Sequence, residues 1–158
     1  MKYLKYFEEK PYPVRNIDVI LDSYLETALW TEEDMLGEEN NFSIYDFSEE
    51  DRNESRKQIK WFVDTAKSSL NGLSDTAIGH DIWLSRNGHG SGFWDRDIPK
   101  HDSDFLMELC HQLGTVNIYV GDNGNLYMDS YSDKYLKFDV KKYREELKLK
   151  KAAKKYNL

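Results

Sequence analysis

The chain has one cysteine, Cys110, among 158 residues. A single thiol excludes an internal disulfide, and no Cys pair is present to begin a zinc-type ligand set. A reducing, cytoplasmic setting is therefore expected. Long apolar runs are missing as well. The opening MKYLKYFEEK has lysines but no apolar stretch behind them, so neither a secretory signal nor a membrane partner is expected. No internal repeat, low-complexity tract or Gly/Ser linker divides the chain, and its length suits one domain, 1–158, with its own core. GxGxxG, the P-loop lysine, the GxSxG elbow and HExxH are also absent. The common signatures of dinucleotide, nucleotide, serine-hydrolase and zinc-protease chemistry thus give no foothold, and no cofactor is expected.

What the chain does have is aromatics and unevenly placed charge. Phe, Trp and Tyr make up 14% of residues, and each ring buried removes a large area from water. Residues 1–70 carry 16 acids and 9 bases, whereas residues 139–158 carry 3 acids and 8 bases. Within 26–54 there are 11 acids and the single base Arg52. An acidic front and a basic tail can engage different partners or each other.

Helical periodicity marks four segments. Ile17, Ile20, Leu21, Tyr24, Leu25, Ala28 and Leu29 share one face, predicting a helix over 17–31. The acidic stretch 32–47 reads as loop. Ser48-Glu49-Glu50-Asp51 has the form of a capping box, and the stripe Ile59, Phe62, Val63, Ala66 and Leu70 follows, ending near Asn71-Gly72. A third helix starts near Ser103 and stops at Gly114. The lysine-rich segment 139–156 reads as a surface helix, frayed at its end.

Two hairpins are expected between these helices. In VNIYVGDNGNLYMD a three-residue loop, Asp122-Asn123-Gly124, pairs Val120 with Leu126 and Ile118 with Met128, with Tyr119 opposite Tyr127 on the other face. In GHDIWLSRNGHGSGFWDRD, residues 79–97, Asn87-Gly88 is the strongest short-range hairpin signal, because both central residues of a type I′ turn need positive φ. That register sets Trp83 opposite Gly92, where an indole can lie over bare backbone. It also sets His80 opposite Asp95. The expected architecture is α+β: a four-stranded antiparallel sheet, two hairpins flanking a helix, packed by two N-terminal helices, with a basic C-terminal helix.

The 79–97 hairpin also supplies the candidate chemistry. A carboxylate beside an imidazole orients and charges it, so His80, Asp81, Arg86, His89 and Asp95 are the residues a small nuclease or other hydrolase would use. The same rings and charges can instead be structural. A shared metal is not expected, since His80 and His89 would stand roughly 20 Å apart at the strand rise of about 3.3 Å per residue. As binding residues the acids Glu32, Glu33, Asp34, Glu38 and Glu39 stand out, with Trp83, Arg86, His89 and Trp94. Nucleic acid is a possible partner for the basic Lys141–Lys155 tail.

The run from Gly79 to Arg96 resembles the shared motif GHDxWLxRNGHGxGFWDR of a family of small bacteriophage-encoded proteins. Asn117 to Tyr127, Tyr24 to Trp30 and Asn41 to Phe47 resemble other parts of that family, so the likeness spans roughly 20–130. It implies a phage source and an infected host cell as the setting; it assigns no activity. Small acidic phage proteins of this kind imply an accessory role, binding a host or phage macromolecule in host takeover or anti-defence, in some cases by imitating the phosphate row of DNA. Binding rather than catalysis is the expected function, with the hydrolase as the alternative.

Overall fold

Asn16 begins the first helix by accepting the backbone N–H groups of Asp18 and Val19 on its side-chain oxygen, which satisfies donors that have no partner inside the helix. The computed structural model describes residues 13–37, 41–129 and 132–156. Six α-helices lie among them: α1 (Ile17–Thr31), α2 (Glu33–Leu36), α3 (Glu49–Ala66), α4 (Asp75–Arg86), α5 (Lys100–Leu113) and α6 (Val140–Lys155). One two-stranded antiparallel sheet, β1 (Asn117–Val120) with β2 (Leu126–Asp129), completes the list.

The expected four-stranded sheet is therefore corrected to a helical fold with one hairpin. Residues 79–97 form no ladder; the first part is α4 and the rest is loop with a short 3-10 turn, Phe93–Asp95. The pairings His80–Asp95 and Trp83–Gly92 do not exist. Asn87-Gly88 does its work as a helix stop instead. Asn87 is the C-cap, Gly88 has φ +70, and the His89 N–H donates to the Leu84 carbonyl at 3.1 Å. That is the Schellman arrangement, in which glycine takes the left-handed position beyond the helix. Hairpin turn and helix stop make the same demand on φ, so the dipeptide alone does not distinguish them.

Ser74 caps α4 by accepting from the Ala77 N–H. Its apolar residues point several ways at once, because the helix is buried along most of its circumference: Ile78, Ile82, Trp83 and Leu84 are all in the core. A short apolar run of this kind carries no periodicity that separates strand from buried helix. α1 lies beside α4 and runs the same way, as the contacts Asn16–Asp75, Ser23–Thr76, Thr27–His80 and Thr31–Trp83 show in order. Gly79 makes this approach possible: a Cβ there would overlap the Ile20 carbonyl and meet the Tyr24 nitrogen at 2.9 Å.

α3 begins as the capping signal predicted, with Ser48 accepting from the Asp51 N–H. It ends at Ala66, and a 3-10 turn, Lys67–Leu70, carries the chain on to Asn71. α5 starts at Lys100, three residues before Ser103, and stops at Gly114. The stretch 32–47 is not all loop, since it holds α2 and a 3-10 turn at Ile44–Asp46. The second hairpin has the expected register, Val120 opposite Leu126, Ile118 opposite Met128 and Tyr119 opposite Tyr127. Its inner face buries Ile118, Leu126 and Met128, and its outer face stacks the two tyrosines.

Asp51 fastens that hairpin to α3. Its buried carboxylate accepts the Ser48 hydroxyl at 2.7 Å and the Met128 N–H at 3.0 Å, while the Ser48 N–H donates to the Leu126 carbonyl. The buried side chains of α1 to α5 and of the hairpin join in one cluster, with Trp83, Tyr24, Phe62 and Phe93 among the largest. Burying a large apolar side chain fully is worth about 1.5–3 kcal/mol. No helix among the described residues is long and apolar enough to cross a membrane.

Candidate functional site

The five residues expected to work together as a hydrolase are distributed by α4 and its C-terminal loop to different surroundings. Asp81 is 1% exposed and bound by Arg96 in a two-pronged pair, Nε to Oδ2 at 2.7 Å and NH2 to Oδ1 at 3.0 Å. Hydrogen bonding to that carboxylate raises the Arg96 pKa further above its ordinary value. The pair ties the loop after the Phe93–Asp95 turn back onto α4. Asp95 is exposed, and among the described residues no hydrogen bond joins it to His80. His89 is half-buried, with its backbone serving the α4 stop.

Arg86 is buried, 4% exposed. Its guanidinium donates to four acceptors: the Gly114 carbonyl at 2.7 Å, the Leu113 carbonyl at 2.9 Å, Gln58 Oε1 at 2.7 Å and the Tyr24 hydroxyl at 2.9 Å. The two carbonyls close the C-terminus of α5, where a helix dipole favours a cation. Arg86 thus joins α1, α3, α4 and α5 from inside, and is closed to a ligand. Burial raises the Tyr24 pKa, an effect the Arg86 charge partly opposes. Trp83, expected as an accessible ring, is 0% exposed, packs edge-on against Tyr24, and donates its indole N–H to Thr31 Oγ1 at 2.8 Å. Gly92 faces Ser85 rather than an indole: a Cβ there would strike the Ser85 hydroxyl, which accepts the Phe93 N–H.

Cys110 lies in the core, where burial pushes its thiol well up from the ordinary range, so it is not a nucleophile. Among the described residues no group of three His, Cys, Asp or Glu side chains is placed to hold a metal ion. Glu38 and Glu39 lie outside the described residues.

A different set is brought together along the line where α1 meets α4. Trp30, near the end of α1, is 64% exposed. On one side the His80 ring lies nearly parallel to it, centroids 6.1 Å apart and planes at 25°. His80 is in turn held by Thr27, whose hydroxyl lies 3.0 Å from Nδ1. That hydroxyl has one proton and makes its shorter bond, 2.7 Å, to the Ser23 carbonyl, leaving its oxygen to accept from the imidazole. The cleft here, about 490 Å³, is also lined by Glu26, Thr76 and Arg96.

A second cleft of about 340 Å³, which Trp30 also lines, lies between α1, α2 and residues 41–42. Glu26 and Trp30 line both clefts, and Glu33, Leu36 and Phe42 complete the second. Glu26, Glu33 and Asp34 are exposed, and Glu32 is half-exposed. Glu26, which lines both clefts, was not among the acids expected to bind; of those, Glu33 shares a cleft with an exposed indole, Trp30, that sequence reasoning did not single out. Its signal was available: Trp30 is the last aromatic of the α1 pattern but stands off the apolar stripe of Leu21, Tyr24, Leu25 and Ala28. Trp94, which was singled out, is 54% exposed on the loop after α4. Comparison with protein-family models, curated proteins and solved structures yields no match, so the reading of this surface rests on its own geometry.

Proposed function

We propose that the protein acts by binding a macromolecule with a basic surface, through the acidic and aromatic face formed by Glu26, Trp30, Glu32, Glu33 and Asp34. The observation that carries this reading is Trp30 itself, a large ring left mostly in water, whose two clefts are lined by the carboxylates Glu26 and Glu33. Interfaces draw most of their energy from a few such aromatic anchors that become desolvated on binding, and surrounding charge speeds and selects the encounter. The resemblance to small bacteriophage proteins makes a host or phage protein the natural partner and an infected host cell the setting, in an anti-defence or takeover role. The hydrolase alternative loses support because Arg86 and Asp81 are committed to internal bonds. A second reading, nucleic-acid binding, has one observation in its favour: all eight Lys and Arg side chains of α6 are exposed, and no α6 residue is buried.

The test is retention of partners on immobilised full-length protein. A genuine partner should be held by the wild type, lost with Trp30→Ala, and weakened by charge reversal of Glu32, Glu33 and Asp34 to lysine, with the residual binding less sensitive to salt. Retention unchanged by both variants would overturn the reading. Incubation with DNA, RNA and nucleotides in the presence of Mg²⁺, Mn²⁺ or Zn²⁺ should give no hydrolysis; cleavage that disappears in His80→Ala would restore the enzyme.

A further inference from the structure

The second cleft beside Trp30 differs in chemistry from the first. The first contains the cation Arg96, neutralised by Asp81, together with the imidazole and hydroxyls. The second is lined by two carboxylates, Glu26 and Glu33, and two aromatic rings, Trp30 and Phe42, and among the described residues no basic side chain lines it. Leu29 and Leu36 close its floor, Leu36 being buried. Its walls come from three separate places in the chain, α1, α2 and the segment 41–42. His80 lies nearly parallel to the indole and is itself held by Thr27, which helps to fix the ring's position.

An apolar floor, two aromatic rings and paired carboxylates leave two negative charges that no cation among the described residues neutralises, next to electron-rich rings. Both features attract the same thing, a cation that can shed water readily. We infer that this cleft receives an arginine side chain of the partner. Its guanidinium would lie flat on Trp30 and donate N–H groups to Glu26 and Glu33. Arginine fits better than lysine on chemical grounds: it is planar, weakly hydrated, and offers five N–H donors in a fixed fork, whereas an ammonium is a compact, strongly hydrated point charge. The inference rests on the reading of this face as a binding surface and names the group that surface takes.

The experiment uses the full chain, labelled with ¹⁵N, and three blocked tripeptides: acetyl-Gly-Arg-Gly-amide, the same peptide with lysine, and the same with citrulline. Citrulline keeps the planar shape and removes the charge. The arginine peptide should move the Trp30 indole N–H resonance saturably. Its affinity should exceed that of the lysine peptide by at least about five-fold, the factor equivalent to one modest cation–π contact. The citrulline peptide should give no saturable shift. Trp30→Leu should abolish the saturable shifts that arginine otherwise causes at the backbone amides of Glu26 and Glu33, and the double variant Glu26→Gln, Glu33→Gln should weaken binding by roughly two- to thirty-fold, two exposed charge contacts being lost. Both variants change exposed side chains, so folding is retained and checked from the same spectra. Equal affinity for lysine and arginine, or shifts that bypass Trp30, would overturn the inference, as would the absence of any saturable shift with arginine. The wider binding reading fails separately. If macromolecular retention is lost with Trp30→Ala while no tripeptide binds, only the arginine cleft falls. If the arginine peptide binds while retention ignores Trp30, the cleft stands and the interface lies elsewhere.

Discussion

Replacing Arg86 by methionine separates a structural cation from a functional one. The change keeps an unbranched apolar stem and removes the guanidinium with its charge and donors. It leaves the Leu113 and Gly114 carbonyls, Gln58 Oε1 and the Tyr24 hydroxyl without the donor they now share. A hydrogen bond to a charged group contributes about 1.5–3 kcal/mol, and a buried polar atom left unpaired costs about 1–3 kcal/mol. Relief from burying the guanidinium offsets part of the sum, as does hydration of the Tyr24 hydroxyl if water enters. All four acceptors are neutral, so no uncompensated charge is left buried, and the lost bonds and unpaired oxygens give an expected destabilisation of about 2–4 kcal/mol. It is a large share of the roughly 5–15 kcal/mol that holds a domain of this kind together. Arg86→Lys should fall between, because an ammonium retains the charge at the α5 C-terminus but cannot reach all four acceptors. Urea unfolding followed by tryptophan fluorescence reads both, with midpoints lowered and slopes unchanged. Peptide or partner binding by the folded fraction should be unaffected. Destabilisation by Arg86→Met of less than about 1 kcal/mol would refute the network, and selective loss of binding in a fully folded Arg86→Lys protein would return Arg86 to a functional role.

Three further outcomes follow from particular contacts. Gly79→Ala should destabilise by about 1–3 kcal/mol in thermal or urea unfolding, because the new Cβ collides with α1 backbone, outweighing the helix propensity that alanine brings. Gly90→Ala, where nothing lies within 4 Å, should be neutral or slightly stabilising by comparison. Asp51→Ala should cost about 1–3 kcal/mol and speed hydrogen exchange at Met128 more than at Tyr24, since the carboxylate holds the Met128 N–H and the Ser48 hydroxyl. Burial raises the pKa of both Cys110 and Tyr24, so the unfolded chain releases those protons first and stability declines as pH rises. The decline should begin above about pH 8.5, the ordinary thiol value, and steepen above about pH 10. Cys110→Ala should remove the first part of that slope, and Cys110 should react with a thiol reagent only at the rate of unfolding. A thiol that titrates near its ordinary value in the folded protein would contradict this.

Local signals in the sequence were read correctly where a single element carries its own pattern and its own cap. The stripe from Ile20 to Ala28 specified α1, Ser48 with the following acids specified the start of α3, and Gly114 specified the end of α5. The hairpin from Asn117 to Asp129 was legible down to its register, because only one register puts Ile118, Leu126 and Met128 on the same face. The acidic 26–54 stretch was legible as charge.

Tertiary structure decided the rest. The stretch after Ser74 is apolar in several directions, and only the presence of α1 beside Gly79 makes it a buried helix rather than a strand. Once it is helical, Asn87-Gly88 becomes its stop, and the cross-strand pair of His80 with Asp95 has no place to form. Arg86 looked like a site residue because an arginine beside histidines and acids is ambiguous in one dimension. Its four acceptors come from α1, α3 and the end of α5, positions 24, 58, 113 and 114, which no local window contains. Trp30 is the converse case. Its exposure follows from the way α1 rolls its apolar stripe onto α4, which turns this one ring toward water between two clefts. A sequence states which side chains are available and how each segment prefers to fold locally; which of them face a neighbour and which face solvent is set by how the helices pack.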